Sequence, residues 1–177
     1  MIAVLRMALA SLALCGLSWN NSLPAADATL RALVAKRGGR VIELPRREDP
    51  PAIRLDLGGS QVTDEDLEQL VAMEGVVSLD LSSSQITDDG LGHLAALVSL
   101  ESLDLGRTRV SDAGLVGLAG LPKLRSLRVG FTRVRGRGLT GLVRLRRLAL
   151  DGPQVTDRTL EHAGRLTSLR VLNLDRS

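Results

Sequence analysis

The feature that most limits what this chain can fold into is a spacing. Leu55, Leu79, Leu103 and Leu127 stand 24 residues apart, and so do Leu57, Leu81, Leu105 and Val129, then Val62, Ile86, Val110 and Val134, then Leu67, Leu91, Leu115 and Leu139. Four columns in one register mean one supersecondary unit copied along the chain. A unit of that size cannot bury its apolar side alone, so its copies must stack into a solenoid. Two further copies begin at Leu148 and Leu172, the first after a 21-residue step because one Leu-x-x triplet is missing between Leu145 and Leu148. The composition fits a packed core, at 44% hydrophobic residues, but with only Trp19 and Phe131 as aromatics that core must be aliphatic.

Each copy reads the same way. The alternation Leu79-Asp80-Leu81 is a short strand with leucines inward and Ser78, Asp80 and Ser82 outward. A small hydroxyl follows at Ser60, Ser84, Thr108 and Thr132, where it can satisfy backbone groups of a tight bend and of the neighbouring repeat. Thr63-Asp64, Thr87-Asp88, Ser111-Asp112 and Thr156-Asp157 then read as helix N-caps, the hydroxyl bonding a free N–H and the acid favouring the positive end of the helix dipole. Caps, not metal ligands, are the reading given to these acids. Leu91, Leu94 and Leu97 continue a helical back face before the chain turns into the next strand.

The pattern Leu-x-x-Leu-x-Leu-x-x-(Ser/Thr)-x-Val-Thr-Asp-x-x-Leu-x-x-Leu, from Ile53 to Asp175, resembles the leucine-rich repeat proteins. Within them it resembles the Thr-Asp-capped class found in exported bacterial proteins and in the repeat half of ubiquitin-ligase adaptors. The resemblance implies an α/β leucine-rich repeat solenoid: a right-handed arc with parallel strands on the concave face, helices on the convex face, and a protein ligand held against the strands.

Ahead of the repeats, residues 1–28 read as a signal peptide: Arg6, an apolar run from Met7 to Leu17, then the small-residue stretch Pro24-Ala25-Ala26-Asp27-Ala28. The run is shorter than the roughly 20 residues of a comfortable membrane span, although residues 1–19 could stay as an anchor. Cys15, the one cysteine, follows Leu12-Ala13-Leu14 and so resembles a lipid-attachment cysteine, but Leu14 is bulkier than that motif wants. A mature chain without it forms no disulfide. Residues 29–51 read as an N-terminal cap and loop: a helix over Ala28 to Lys36 stopped by Gly38-Gly39, a strand at Val41 to Leu44, and the run Pro45 to Pro51. Residues 52–177 hold about five repeats and a final strand. Of 23 basic residues only Lys36 and Lys123 are lysines, a bias that points to a GC-rich bacterial genome.

The register names the residues that face a partner. One concave row is Arg54, Ser78, Ser102, Ser126, Arg147 and Val171; the next is Asp56, Asp80, Asp104, Arg128, Ala149 and Asn173; a third is Gly58, Ser82, Gly106, Gly130, Asp151 and Asp175. The candidate binding residues are Arg54, Asp56, Ser78, Asp80, Ser102, Asp104, Arg128, Arg147 and Phe131, the last standing where other copies have Gly59, Ser83, Arg107 and Gly152. Neighbouring strands lie about 4.8 Å apart, so Asp56, Asp80 and Asp104 repel one another mildly. No metal is assigned to that row, since Ca²⁺ takes about six or more oxygens and a flat row offers few.

Charge is segregated. From Ala52 to Asp112 there are twelve acids against Arg54, Arg107 and Arg109; from Ala113 to Leu150 there are nine bases and no acid. That basic segment suits an acidic protein or polysaccharide, and nucleic acid is excluded for want of aromatics on which bases could stack. The same segment is where the repeat is irregular: Arg135-Gly136 replaces Thr-Asp, the triplet is missing, and Pro153 takes the hydroxyl position. Irregularity there reads either as function or as drift. No catalytic set is visible, since His93 and His162 are three repeats apart and no cofactor motif occurs. The reading is a non-catalytic protein-binding module of the bacterial cell envelope, exported to the periplasm, surface or medium. The alternative is a structural element that self-associates, as a homodimer, through a C-terminal end where Leu172 and Leu174 complete a strand.

Overall fold

The computed structural model describes residues 25–45 and 51–175; the first 24 of the 28 residues expected as a leader, with Cys15, and the loop residues 46–50 lie outside them, while residues 25–28 of that expected leader are helical. Helix α1 (Ala25–Lys36) and strand β1 (Arg40–Glu43) form the N-terminal cap. The helix starts three residues earlier than the spacing predicts, where Asp27 accepts a hydrogen bond from Arg31 at 2.8 Å and Arg31 also reaches Glu43 of β1 at 2.9 Å. Gly38 has φ +88°, the left-handed turn that ends a helix. Strand β1 lies antiparallel on β2 (Ile53–Asp56), and so covers the first edge of the sheet.

From β2 onward the sheet is parallel, in sequence order through β3 (Val76–Asp80), β4 (Ser102–Asp104), β5 (Ser126–Arg128), β6 (Arg147–Ala149) and β7 (Val171–Asn173). The strand register is the one the leucine columns predict: Leu55, Leu79, Leu103, Leu127, Leu148 and Leu172 are successive partners. Apart from Leu172 these leucines are buried, with Val62, Ile86, Val110 and Val134 beneath the turns. Each strand returns through helix: α2 (Asp64–Leu70), α3 (Asp88–His93), α4 (Asp112–Val116) and α5 (Asp157–Ala163), with 3-10 turns after α3 and α4. Repeat four has only the 3-10 turn Arg137–Gly141, which follows from the lost Thr-Asp pair and the missing triplet.

The hydroxyl positions serve their own bend. Ser84, Thr108 and Thr132 donate to the carbonyls of Leu81, Leu105 and Val129 at 2.6–2.7 Å. At the fifth copy Pro153 has no such donor, and the Gln154 amide donates to the Asp151 carbonyl at 2.7 Å instead. The expected reach to the neighbouring repeat is made by the backbone. Ser83, Arg107 and Phe131 hold φ of 57°, 59° and 54°, and Gly59 and Gly152 at the same position are also left-handed. This conformation turns the N–H of Gly59, Ser83, Arg107 and Phe131 onto the carbonyl of Ser82, Gly106, Gly130 and Asp151 in the next repeat, at 2.6–2.8 Å.

The caps differ from expectation in one respect. Thr63, Thr87, Ser111 and Thr156 do cap their helices. The aspartate that follows does more than favour its own helix dipole. Asp64 accepts from the Thr87 N–H (3.0 Å) and hydroxyl (2.6 Å), and Asp88 from the Ser111 N–H (2.7 Å) and hydroxyl (2.6 Å), so each acid fixes the cap of the next repeat. Asp112 accepts from the N–H groups of Arg135, Gly136 and Gly138 at 3.0–3.2 Å. That answers the missing cap in repeat four: Gly136, at φ +107°, makes no side-chain bond, and the preceding repeat supplies the acceptor.

Candidate functional site

The parallel strands carry their outward side chains in straight rows because partners in a parallel ladder stack directly. Arg54, Ser78, Ser102, Ser126, Arg147 and Val171 form one row, and Asp56, Asp80, Asp104, Arg128, Ala149 and Asn173 the next. All of them but Asp56 line a cavity of about 390 Å³ on the strand face, bounded by Arg54 at one end and by Val171 and Asn173 at the other. Its floor is a serine row between two arginines, with an aspartate row beside it that changes to Arg128 at β5.

Of the nine candidate residues, Arg54, Ser78, Asp80, Ser102, Asp104, Arg128 and Arg147 line this cavity, and Asp56 and Phe131 do not. Asp56 stands opposite Arg40 of β1, at the rim. Phe131 lies past the end of β5 in the left-handed turn, on the flank of the solenoid. It is 37% exposed.

The aspartate row is less repulsive than its spacing implies. Asp80 accepts from the Ser82 N–H, and Asp104 from the Gly106 N–H, both at 2.9 Å. Arg128 also donates to Asp104 at 3.0 Å. Burial nevertheless pushes the Asp104 carboxyl above the usual aspartate value, and the Asp80 charge pushes the same way, against the pull of Gly106 and Arg128. A cation arriving at Asp80 and Asp104 would offset the cost of that burial and of the neighbouring charge. Among the described residues no group of three or more His, Cys, Asp or Glu side chains is arranged to hold a metal ion.

Two functional contacts escaped the sequence reading. Arg37, at the end of the cap, grips Asp66 of α2 with two nitrogens at 2.8 Å each. Burial pulls the Asp66 carboxyl upward, but bonds from Arg37 and Thr63 outweigh it and hold it below the usual value. This contact ties the segment after α1 to the first repeat. The second is on the flank, where the Arg107 guanidinium stacks 4.6 Å from the Phe131 ring centre.

Comparison with known proteins places these features in a family context. Residues 76–95 and 96–119 each match the family model described as Leucine Rich repeat. No curated protein sequence matches. Among solved structures, TLR13 in a complex with ssRNA13 is 22% identical with a TM-score of 0.49, over 64% of this chain and 16% of that one. An internalin from Listeria monocytogenes is 18% identical with a TM-score of 0.46, over 85% of this chain and 55% of that one. This chain thus spans a small part of the first and about half of the second.

Proposed function

We propose that this chain, in which residues 76–119 match the leucine-rich repeat model, is an exported, non-catalytic leucine-rich repeat module that binds a protein partner on its strand face. The observation that supports this most is the row of outward serines and arginines on β2 to β6, with the partly buried Asp104 beside it. The backbone that carries these side chains is held in register by a buried leucine sheet, so it loses little freedom when a partner arrives. That preorganisation favours binding. An open face of this kind offers no enclosed site for chemistry, which favours recognition over catalysis. Export rests on the leader-like residues 1–28; among the described residues no helix is long and apolar enough to cross a membrane.

The test is affinity capture from the envelope of the native cell, using the chain and its Ser102→Arg/Ser126→Arg variant. The expected result is a partner held by the first and lost by the second, with equal thermal unfolding. Equal retention would contradict the strand-face reading.

A further inference from the structure

We infer that the flank of repeats three and four is a second docking surface, distinct from the strand face, and that it takes an acidic peptide segment. Counting along the chain divides this surface between an acidic and a basic window; stacking of the repeats joins it. Arg107 and Arg109 of repeat three lie beside Arg133, Arg135 and Arg137 of repeat four. The segments that carry them are bonded to one another, with Arg133 N–H on the Val110 carbonyl at 2.9 Å, Arg107 N–H on the Gly130 carbonyl at 2.8 Å and a parallel bridge between Ser111 and Arg133. All five arginines are exposed. The ion pairs found among the described residues are made by Arg31, Arg37 and Arg128, not by these five. Asp112, which follows Arg109 in the same repeat, is turned onto three backbone N–H groups, and Asp104, which precedes Arg107, is bonded by the Gly106 N–H and Arg128. Five guanidinium forks suited to carboxylates therefore face water together.

At the centre stands Phe131, at φ +54°. A left-handed turn is a costly place for an aromatic residue, and two other copies have glycine there, so the ring sits in the turn at a cost in local strain. The ring's surroundings indicate the kind of partner. Arg107 stacks over it at 4.6 Å, and Gly152 packs against it so closely that a Cβ would meet the ring Cδ1 at 3.0 Å. A nucleobase or a sugar needs an open aromatic face, and these neighbours occupy the ring. What stays exposed suits an apolar side chain, with carboxylates nearby on the same segment. An extended peptide supplies both, since alternate residues lie about 7 Å apart on one side.

The probe is a fluorescein-labelled peptide of alternating Glu and Leu, titrated by anisotropy against the full chain at low salt. The expected result is saturable, salt-sensitive binding, weakened about tenfold or more by Arg109→Glu/Arg133→Glu and left intact by Ser102→Arg on the strand face. Phe131→Gly separates binding from folding. It should raise the unfolding temperature, because glycine fits the turn, yet weaken the peptide several-fold. Absence of peptide binding, or binding indifferent to Phe131→Gly, would overturn the proposal. So would a sulfated polysaccharide that binds more tightly than the peptide and is equally indifferent to Phe131.

Discussion

At the scale of single residues, glycine and aspartate are matched across repeats. Asp64, Asp88 and Asp112 reach the cap of the following copy by crossing one position in the first helical turn of that copy, occupied by Gly90, Gly114 and Gly138. A Cβ on Gly90 would collide with the Asp64 carboxylate, one on Gly114 with that of Asp88, and one on Gly138 with the Asp112 backbone. The exceptions support this account. Asp66 and Thr159 fill the same position without penalty; Asp66 has no repeat before it, and Thr159 follows the copy in which Gly136 replaces the acid. Gly90→Ala should therefore destabilise the chain by about 1–3 kcal/mol. Gly92→Ala, two residues on in the same helix with open space around it, should be neutral or stabilising by up to about 1 kcal/mol. Urea unfolding of the pair checks the contrast.

Asp104 gives a pH prediction at the same scale. Its folded pKa is raised, chiefly by burial, so its favourable contribution is fully present below the ordinary carboxylate range and lost as pH rises through the raised value. Asn keeps the acceptor for the Gly106 N–H and does not titrate. The stability of Asp104→Asn relative to the parent should grow as pH rises from about 3 to 7. A difference that shrinks over that range would refute the assigned shift.

At the scale of elements, strand register and turn chemistry were legible because both are written in single columns of one residue type. The aspartate ladder was less so, since Thr-Asp before an apolar stretch already has a sufficient local reading as a cap. The signal was nonetheless present, as an acid paired with a glycine 26 residues later in three successive copies. The Arg37–Asp66 junction had no such periodic signal, because it joins the cap to the repeats only once. Asp66 is 3% exposed, so Arg37→Ala leaves it short of partners and should cost roughly 1.5–3 kcal/mol. The sign with pH is opposite to that of Asp104. A depressed carboxyl gives stability above its unfolded pKa and loses it as pH falls through the folded one. Equilibrium unfolding of Arg37→Ala should accordingly show a smaller loss on acidification than the parent does.

At the scale of the whole molecule, a continuous leucine sheet and inter-repeat bonds on both flanks hold the strands as one scaffold, from β1 to β7. Seven of the nine residues chosen from the sequence line one cavity because strand register alone fixes the rows. Phe131 was misplaced because the strand ends at Arg128 and the left-handed turn moves the next side chains onto the flank. The account's central claim is that the strand face is where a partner sits. Site-specific photo-crosslinking in the native cell tests it most directly, with benzoylphenylalanine at Ser102 on the strand face or at Ala96, exposed after α3. The account predicts a discrete cross-linked product from position 102 and none from position 96; a product from position 96 alone, or from neither, would contradict it.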